Sequence, residues 1–161
     1  TEVEARVGGP ELPGGGRIQC ELPGELHRRN TSSKNLGLCV FTSIHHSALL
    51  QNISQLVEFP KWVQTSGIAG GSDPQKTAQL VARISKERGM PAPDFIQCED
   101  ADLEILKAAC RSGRAPGVTY GLSPTKRYGG DAIAHMVSLV HADDTTFCVL
   151  DSNYPGDENR A

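Results

Sequence analysis

The stretch His135-Met136-Val137-Ser138-Leu139-Val140-His141-Ala142-Asp143-Asp144-Thr145-Thr146-Phe147-Cys148-Val149-Leu150-Asp151 decides how this chain is built. Two apolar runs flank a short polar connection, Ala142 to Thr145. That pattern predicts an antiparallel hairpin, with strands over 134–141 and 146–151. Gly117-Val118-Thr119-Tyr120-Gly121 predicts a further strand upstream, and the polar, Gly-containing residues 123–131 predict the loop between them.

Before residue 117 the periodicity is helical. Phe41, Ile44, Ala48, Leu49 and Ile53 recur at helical spacing, with Leu56 one turn on, and predict a helix from about 38 to 57, ended by Pro60. Asp73-Pro74 predicts the start of a second helix, with Asp73 as cap, Pro74 in the first turn and Gly89 as terminator. A third is expected from about Asp102 to Cys110, with Asp100 as cap and Gly113 beyond its end. Phe95-Ile96-Gln97-Cys98 reads as a short strand, and Trp62 as core. Helices first and strands later predict an α+β domain over 26–161, a helical half packed on a C-terminal antiparallel sheet.

Residues 1–25 contain Gly8-Gly9-Pro10 and Pro13-Gly14-Gly15-Gly16 and lack apolar periodicity. They read as an extended arm or linker. The chain opens on Thr1 and stops at Ala161, soon after Asp151. That leaves room for a removed leader, a truncated last element, and a larger parent chain or assembly.

At 161 residues the chain is one domain's worth, and 38% hydrophobic against 22% charged residues is the balance of an ordinary globular protein. The net charge is -3 and no basic run occurs, which argues against nucleic acid as a partner, because backbone phosphates need clustered Lys and Arg. No apolar stretch approaches the length of a membrane span.

Cysteines stand at 20, 39, 98, 110 and 148. None forms a CxxC pair, so neither a structural zinc site nor a disulfide framework is expected. Cys110 and Cys148 fit a helical and a strand pattern as small buried hydrophobes. Cys39 differs: it opens the first predicted helix, directly after Gly37-Leu38. Unpaired backbone N–H groups at a helix start favour a thiolate, and the N–H of Cys39 would also face a developing oxyanion.

His135 opens the first strand of the hairpin, and Asp151 closes the second. A hairpin centred near Asp143-Asp144 sets Asp151 across from the strand start that carries His135. A carboxylate there can fix the imidazole's tautomer and orientation. Asn153 is a second candidate for that role. His141 shares a face with His135 by strict alternation but sits at the far end of the strand. His45 and His46 point in different directions from one helix and read as a solvated face, not a metal site. Gly70-Gly71-Ser72-Asp73 reads as a helix cap.

Gly37-Leu38-Cys39 opening a helix through Phe41-Thr42-Ser43, His135 to Val140, and Val149-Leu150-Asp151-Ser152-Asn153 together resemble the papain-like cysteine peptidases. The likeness is greatest to the compact bacterial group akin to bacteriocin-leader peptidases, and it covers about residues 30–156. It implies a papain-like fold and a thiol hydrolase that cleaves peptide bonds in a peptide or protein substrate. Cys39 would be nucleophile, His135 base and Asp151 orienter, with no metal and no organic cofactor. The family pattern has an aromatic residue after the nucleophile and a Gln six residues before it; here Val40 and Ser33 occupy those positions. Asn35 or Asn30 would then supply the oxyanion amide. Two other readings stay open: a Cys-His-Asp acyltransferase, and an inactive papain-like binding or structural module. A free catalytic thiol favours reducing, cytoplasmic surroundings.

Overall fold

Helix α1 (Cys39–Gln51) runs through the middle of the computed structural model, which describes residues 6–7, 20–21, 36–95, 97, 102–120, 130–131, 133–145 and 147–153. Phe41, Thr42, Ser43, His45, His46 and Ala48 are all buried. A helix buried on nearly every side needs partners all round, and α1 has them. It packs on a helical cluster with one side and on the sheet with another.

α1 ends at Gln51, six residues before the 57 expected from its periodicity. Asn52 takes the left-handed conformation (φ 57°, ψ 37°), and the Ile53 N–H turns back to the Ala48 carbonyl at 2.9 Å. The apolar positions Ile53 and Leu56 therefore serve a separate 3-10 turn, Ser54–Leu56. Pro60 then starts a helix instead of ending one. It lies in the first turn of α2 (Phe59–Thr65), where proline's missing N–H has no intrahelical partner to lose.

Helix α3 (Pro74–Glu87) matches its sequence signals. Asp73 Oδ1 accepts the Lys76 N–H at 2.8 Å, and Gly89 follows the helix with φ +64°. Helix α4 (Leu103–Arg111) is capped by Asp102, whose Oδ1 accepts the N–H groups of Glu104 and Ile105 at 2.9 and 3.1 Å. Asp100, the expected cap, lies outside the described residues. Phe95 and Gln97 belong to no strand, while Ile96 and Cys98 are also outside them.

Strands β3 (Gly117–Tyr120), β4 (His135–Ala142) and β5 (Phe147–Leu150) form an antiparallel sheet in that order. The fold is therefore α+β, as expected. Val118 pairs with Val137, Ser138 with Leu150, and Leu139 with Val149. Both faces of the sheet are covered. Val140, Cys148 and Leu150 meet Leu49 and Leu50 of α1. Leu139, Val118 and Val149 meet Leu106 and Cys110 of α4. Two-sided burial explains why β4 reads as a continuous apolar run. A register shift between Leu139 and His141 breaks its alternation, so Ala142 joins Leu139 beneath α4. In the segment read as an extended arm or linker, β1 (Arg6–Val7) and β2 (Cys20–Glu21) form a two-residue antiparallel ladder.

The helical half has its own core: Phe41, Leu56, Phe59, Val63, Val81 and Ile84, with Trp62 packed at its edge as expected. Phe59 meets Phe41 edge-on at 5.3 Å and stacks on Trp62 at 5.9 Å. Cys110 is a free buried thiol, as expected. Cys148 is buried but disulfide-bonded, which corrects its reading as a simple hydrophobe; its partner lies outside the described side chains. The disulfide also weakens the inference of reducing surroundings. No helix of the described residues is long and apolar enough to cross a membrane.

Phe59 is fully buried at the junction of α1, α2 and the Trp62 ring. Phe59→Ala is expected to destabilise the fold by about 3–5 kcal/mol, read as a lower urea midpoint with an unchanged slope.

Candidate active site

Three sequence-predicted residues come together. Cys39 is the first residue of α1, His135 the first of β4, and Asp151 follows the last residue of β5. Helix α1 starts without a side-chain cap at Leu38 and without an acidic residue in its first turn. The Val40 N–H of its first turn bonds the Cys39 sulfur, which lies at the positive end of the helix dipole.

His135 and Asp151 are both buried, and His135 Nε2–H donates to Asp151 Oδ1 at 2.7 Å. The same carboxylate oxygen accepts the Asn153 N–H at 2.9 Å. Asp151 thus closes a tight turn and holds an imidazole with one oxygen. Carrying the pairing of Ser138 with Leu150 one step further sets Asp151 opposite Val137. The bond to His135 is therefore diagonal, two residues from the directly opposed position.

With Nε2 committed to Asp151, Nδ1 is the ring nitrogen left for the hydrogen bond between His135 and Cys39. Asn153 Nδ2 stands 3.5 Å from Nδ1, at the outer limit of hydrogen bonding. Asn153 therefore flanks the imidazole, and its backbone, more than its amide, serves the orienting carboxylate.

The electrostatics of the pair agree from both sides. Partial burial alone would raise the Cys39 pKa, but the hydrogen bond from His135, the Met136 amide, the charge on His135 and the Val40 amide outweigh it. The thiol lies below its ordinary value. Burial alone would lower the His135 pKa; the bonds and charges of Asp151 and Cys39 overcome it and push the imidazole up to about 9. A thiolate beside an imidazolium is the state these shifts favour, and the two groups titrate as a unit. Cys110 shows the contrast: its Sγ–H donates to the Leu139 carbonyl at 3.7 Å, and burial pushes its thiol up to about 11.

Other expectations fall away from this centre. His141 Nε2–H donates to Asp143 Oδ2 at 2.9 Å, at the hairpin. His45 and His46 are buried, not solvated. His45 Nδ1–H donates to the Val57 carbonyl, and His46 lies behind the site on α1. Asn35, Asn30 and Ser33 lie outside the described residues. The Cys39 N–H, expected as an oxyanion donor, lies at the start of α1. No cluster of three or more His, Cys, Asp or Glu among the described residues could hold a metal ion.

One feature of the site escaped the sequence reading. Gly70 and Gly71 do more than precede a capped helix: they cross directly over Leu36 and Gly37, beside Cys39. The Gly71 N–H donates to the Gly37 carbonyl at 2.7 Å. A Cβ on Gly70 would come 2.2 Å from the Leu36 carbonyl oxygen, and one on Gly37 would come 2.6 Å from the Gly71 nitrogen. Lys76 Nζ ties down the crossing loop through the carbonyls of Ala69 and Gly71, at 2.9 and 2.6 Å. The only sequence signal was a Gly-Gly pair close before a strong helix cap.

Comparison of the chain with protein-family models, curated proteins and solved structures finds no match.

Two substitutions test this geometry. Asp151→Asn preserves an acceptor for the Asn153 N–H but removes the charge, so burial acts on His135 with less opposition. Its pKa should fall from about 9 toward or below the ordinary 6.5, followed by NMR titration of the imidazole C–H signals. Gly37→Ala should lose about 1–2 kcal/mol from its φ of +64° alone, before the contact with Gly71 is counted. Urea unfolding would measure it.

Proposed function

We propose that this protein is a papain-like cysteine peptidase, a thiol-dependent hydrolase acting on peptide bonds through Cys39, His135 and Asp151. The observation that carries the reading is the bond from His135 Nε2 to Asp151 Oδ1, which leaves the other ring nitrogen to a thiol at a helix N-terminus. A structural cysteine has no use for a buried imidazole whose proton is held by a buried carboxylate. The α+β arrangement, with the nucleophile on a helix and the base on a facing sheet, supports the finer assignment of fold.

The chemistry follows from the protonation state. The Cys39 thiolate attacks the scissile carbonyl carbon, and the oxygen gains negative charge near the Cys39 N–H. His135 Nδ1–H gives its proton to the leaving amine as the C–N bond breaks, leaving a thioester on Sγ. Neutral His135 then takes a proton from water, whose oxygen attacks the thioester. The carboxylic acid departs, and the thiolate–imidazolium pair is restored. Throughout, Asp151 keeps the Nε2–H bond and stabilises the imidazolium. The steps balance with no cofactor.

The required state has Cys39 deprotonated and His135 protonated. Peptidase activity should therefore rise with pH through the lowered Cys39 titration and fall again as His135 loses its proton near pH 9. Cys39→Ala should reduce turnover of a peptide library by on the order of 10⁴-fold or more with the fold intact. An active Cys39→Ala protein would refute the assignment. Iodoacetamide alkylation carries an internal standard: Cys39, with its lowered pKa, should react at a pH where Cys110 stays inert. Equal reactivity at the two would point to a binding module instead.

A further inference from the structure

Behind Cys39 and His135 lies a second buried polar cluster, and it bridges the same two elements. Ser43 and His46 project from α1, and Ser138 from β4; each is at most 3% exposed. Ser43 Oγ and Ser138 Oγ share a hydrogen bond at 3.0 Å. His46 Nδ1 bonds Ser138 Oγ at 2.8 Å. Ser43 is one helical turn, and His46 two turns, beyond Cys39 on the same face of α1. Ser138 is three residues beyond His135. The Met136 amide that bonds the Cys39 sulfur lies between them.

The cluster is an expensive way to join a helix to a sheet. Three polar side chains are taken out of water, and His46 Nε2 has no hydrogen-bond partner among the described residues. Burial and the neighbouring His45 hold the His46 pKa down to about 3, so the ring is neutral under ordinary conditions and contributes no charge. What the cluster supplies is direction. Apolar side chains tolerate sliding of a helix along a strand; two hydrogen bonds converging on one hydroxyl do not. Nor can the cluster relax sideways. A Cβ on Gly117, the strand partner of Ser138, would come 3.0 Å from Ser43 Oγ and 2.6 Å from Met136 Sδ.

We propose that Ser138, held between Ser43 and His46, is a positioning residue that sets α1 against β4 and so brings the Cys39 sulfur within reach of the His135 imidazole. The inference rests on the thiolate–imidazolium reading of that pair. Ser43 is about 6 Å along the helix axis from Cys39, so a shift of α1 at the cluster passes undiminished to the sulfur. The hydrogen bond to His135 is directional and weakens as the angle at its proton departs from linear. None of the three side chains is assigned a contact with substrate.

The test is the pH profile of Cys39 alkylation by iodoacetamide, read by mass spectrometry on the full chain. It compares wild type with Ser138→Ala, Ser43→Ala, His46→Leu and His46→Asn, with circular dichroism and urea unfolding reporting the fold. His46→Asn places an amide where Nδ1 stands; His46→Leu fills the space without a polar group. Ser138→Ala and His46→Leu should raise the apparent Cys39 pKa by about one unit, which is roughly tenfold slower alkylation on the acid side. His46→Asn should restore most of the rate. Ser43→Ala, the mildest change, should give a smaller shift in the same direction and serves if either of the others fails to fold. Folded variants whose profiles superimpose on wild type would show that the cluster only stabilises, and would overturn the proposal. A wild-type Cys39 with the pKa of a free thiol would instead overturn the peptidase reading, and the positioning role with it.

Discussion

Helix α1 is wedged between two cores, the Phe41, Phe59 and Ile84 cluster on one side and the sheet on the other, and this burial dictates where its first residue stands. An amphipathic surface helix can roll or slide by a fraction of a turn at little cost. A helix in close-packed contact on most of its circumference cannot, because every shift opens a void or forces an overlap. The N-terminus of α1 is therefore a fixed point. The close crossing of Gly37 and Gly71 fixes the chain immediately before it. A thiol placed there receives a helix dipole, a neighbouring strand and a defined approach without any movement of its own.

The sheet supplies the other half in the same manner. β4 is buried on both faces, and its first residue is the imidazole. β5 is followed directly by a carboxylate, one oxygen of which closes the next turn and holds the ring. Local turn chemistry and site chemistry thus coincide in Asp151. The consequence is electrostatic. Burial alone would keep both Cys39 and His135 neutral; only their mutual bond, with the carboxylate behind, makes the charged pair the preferred state. The pair is a property of the contact between helix and sheet and of neither element alone.

How far this could be read from residues depended on whether the signal was local. Asp73-Pro74 and Gly89 bounded α3 because caps act over a few residues. The hairpin register placed Asp151 close to His135 because pairing is set by the turn between them, although the contact proved diagonal. Where periodicity was the only guide, it overran. Ile53 and Leu56 continue the apolar spacing of α1, yet the left-handed Asn52 had already ended it. Pro60 carried a local meaning opposite to the one assumed, since a proline stops one helix as readily as it starts the next. His45 and His46 were misread because adjacent helical positions are both buried only when the helix is central, and centrality depends on everything packed around it.

The same distinction explains why the glycine crossing and the Ser43–Ser138–His46 cluster lay beyond the sequence. Gly70 meets Leu36, and Ser138 meets Ser43, across long separations in the chain. A serine on a strand and a serine on a helix carry no mark of each other; each alone reads as an ordinary small polar residue. Their pairing becomes meaningful only because the helix they join carries Cys39 and the strand carries His135. Chemistry-bearing residues announce themselves by type, whereas residues that position them are recognised by what they touch. In this fold the first kind stands at the starts of α1 and β4 and just beyond β5. The second kind stands one or two turns behind, where the packing is dry and a hydrogen bond is hardest to replace with water.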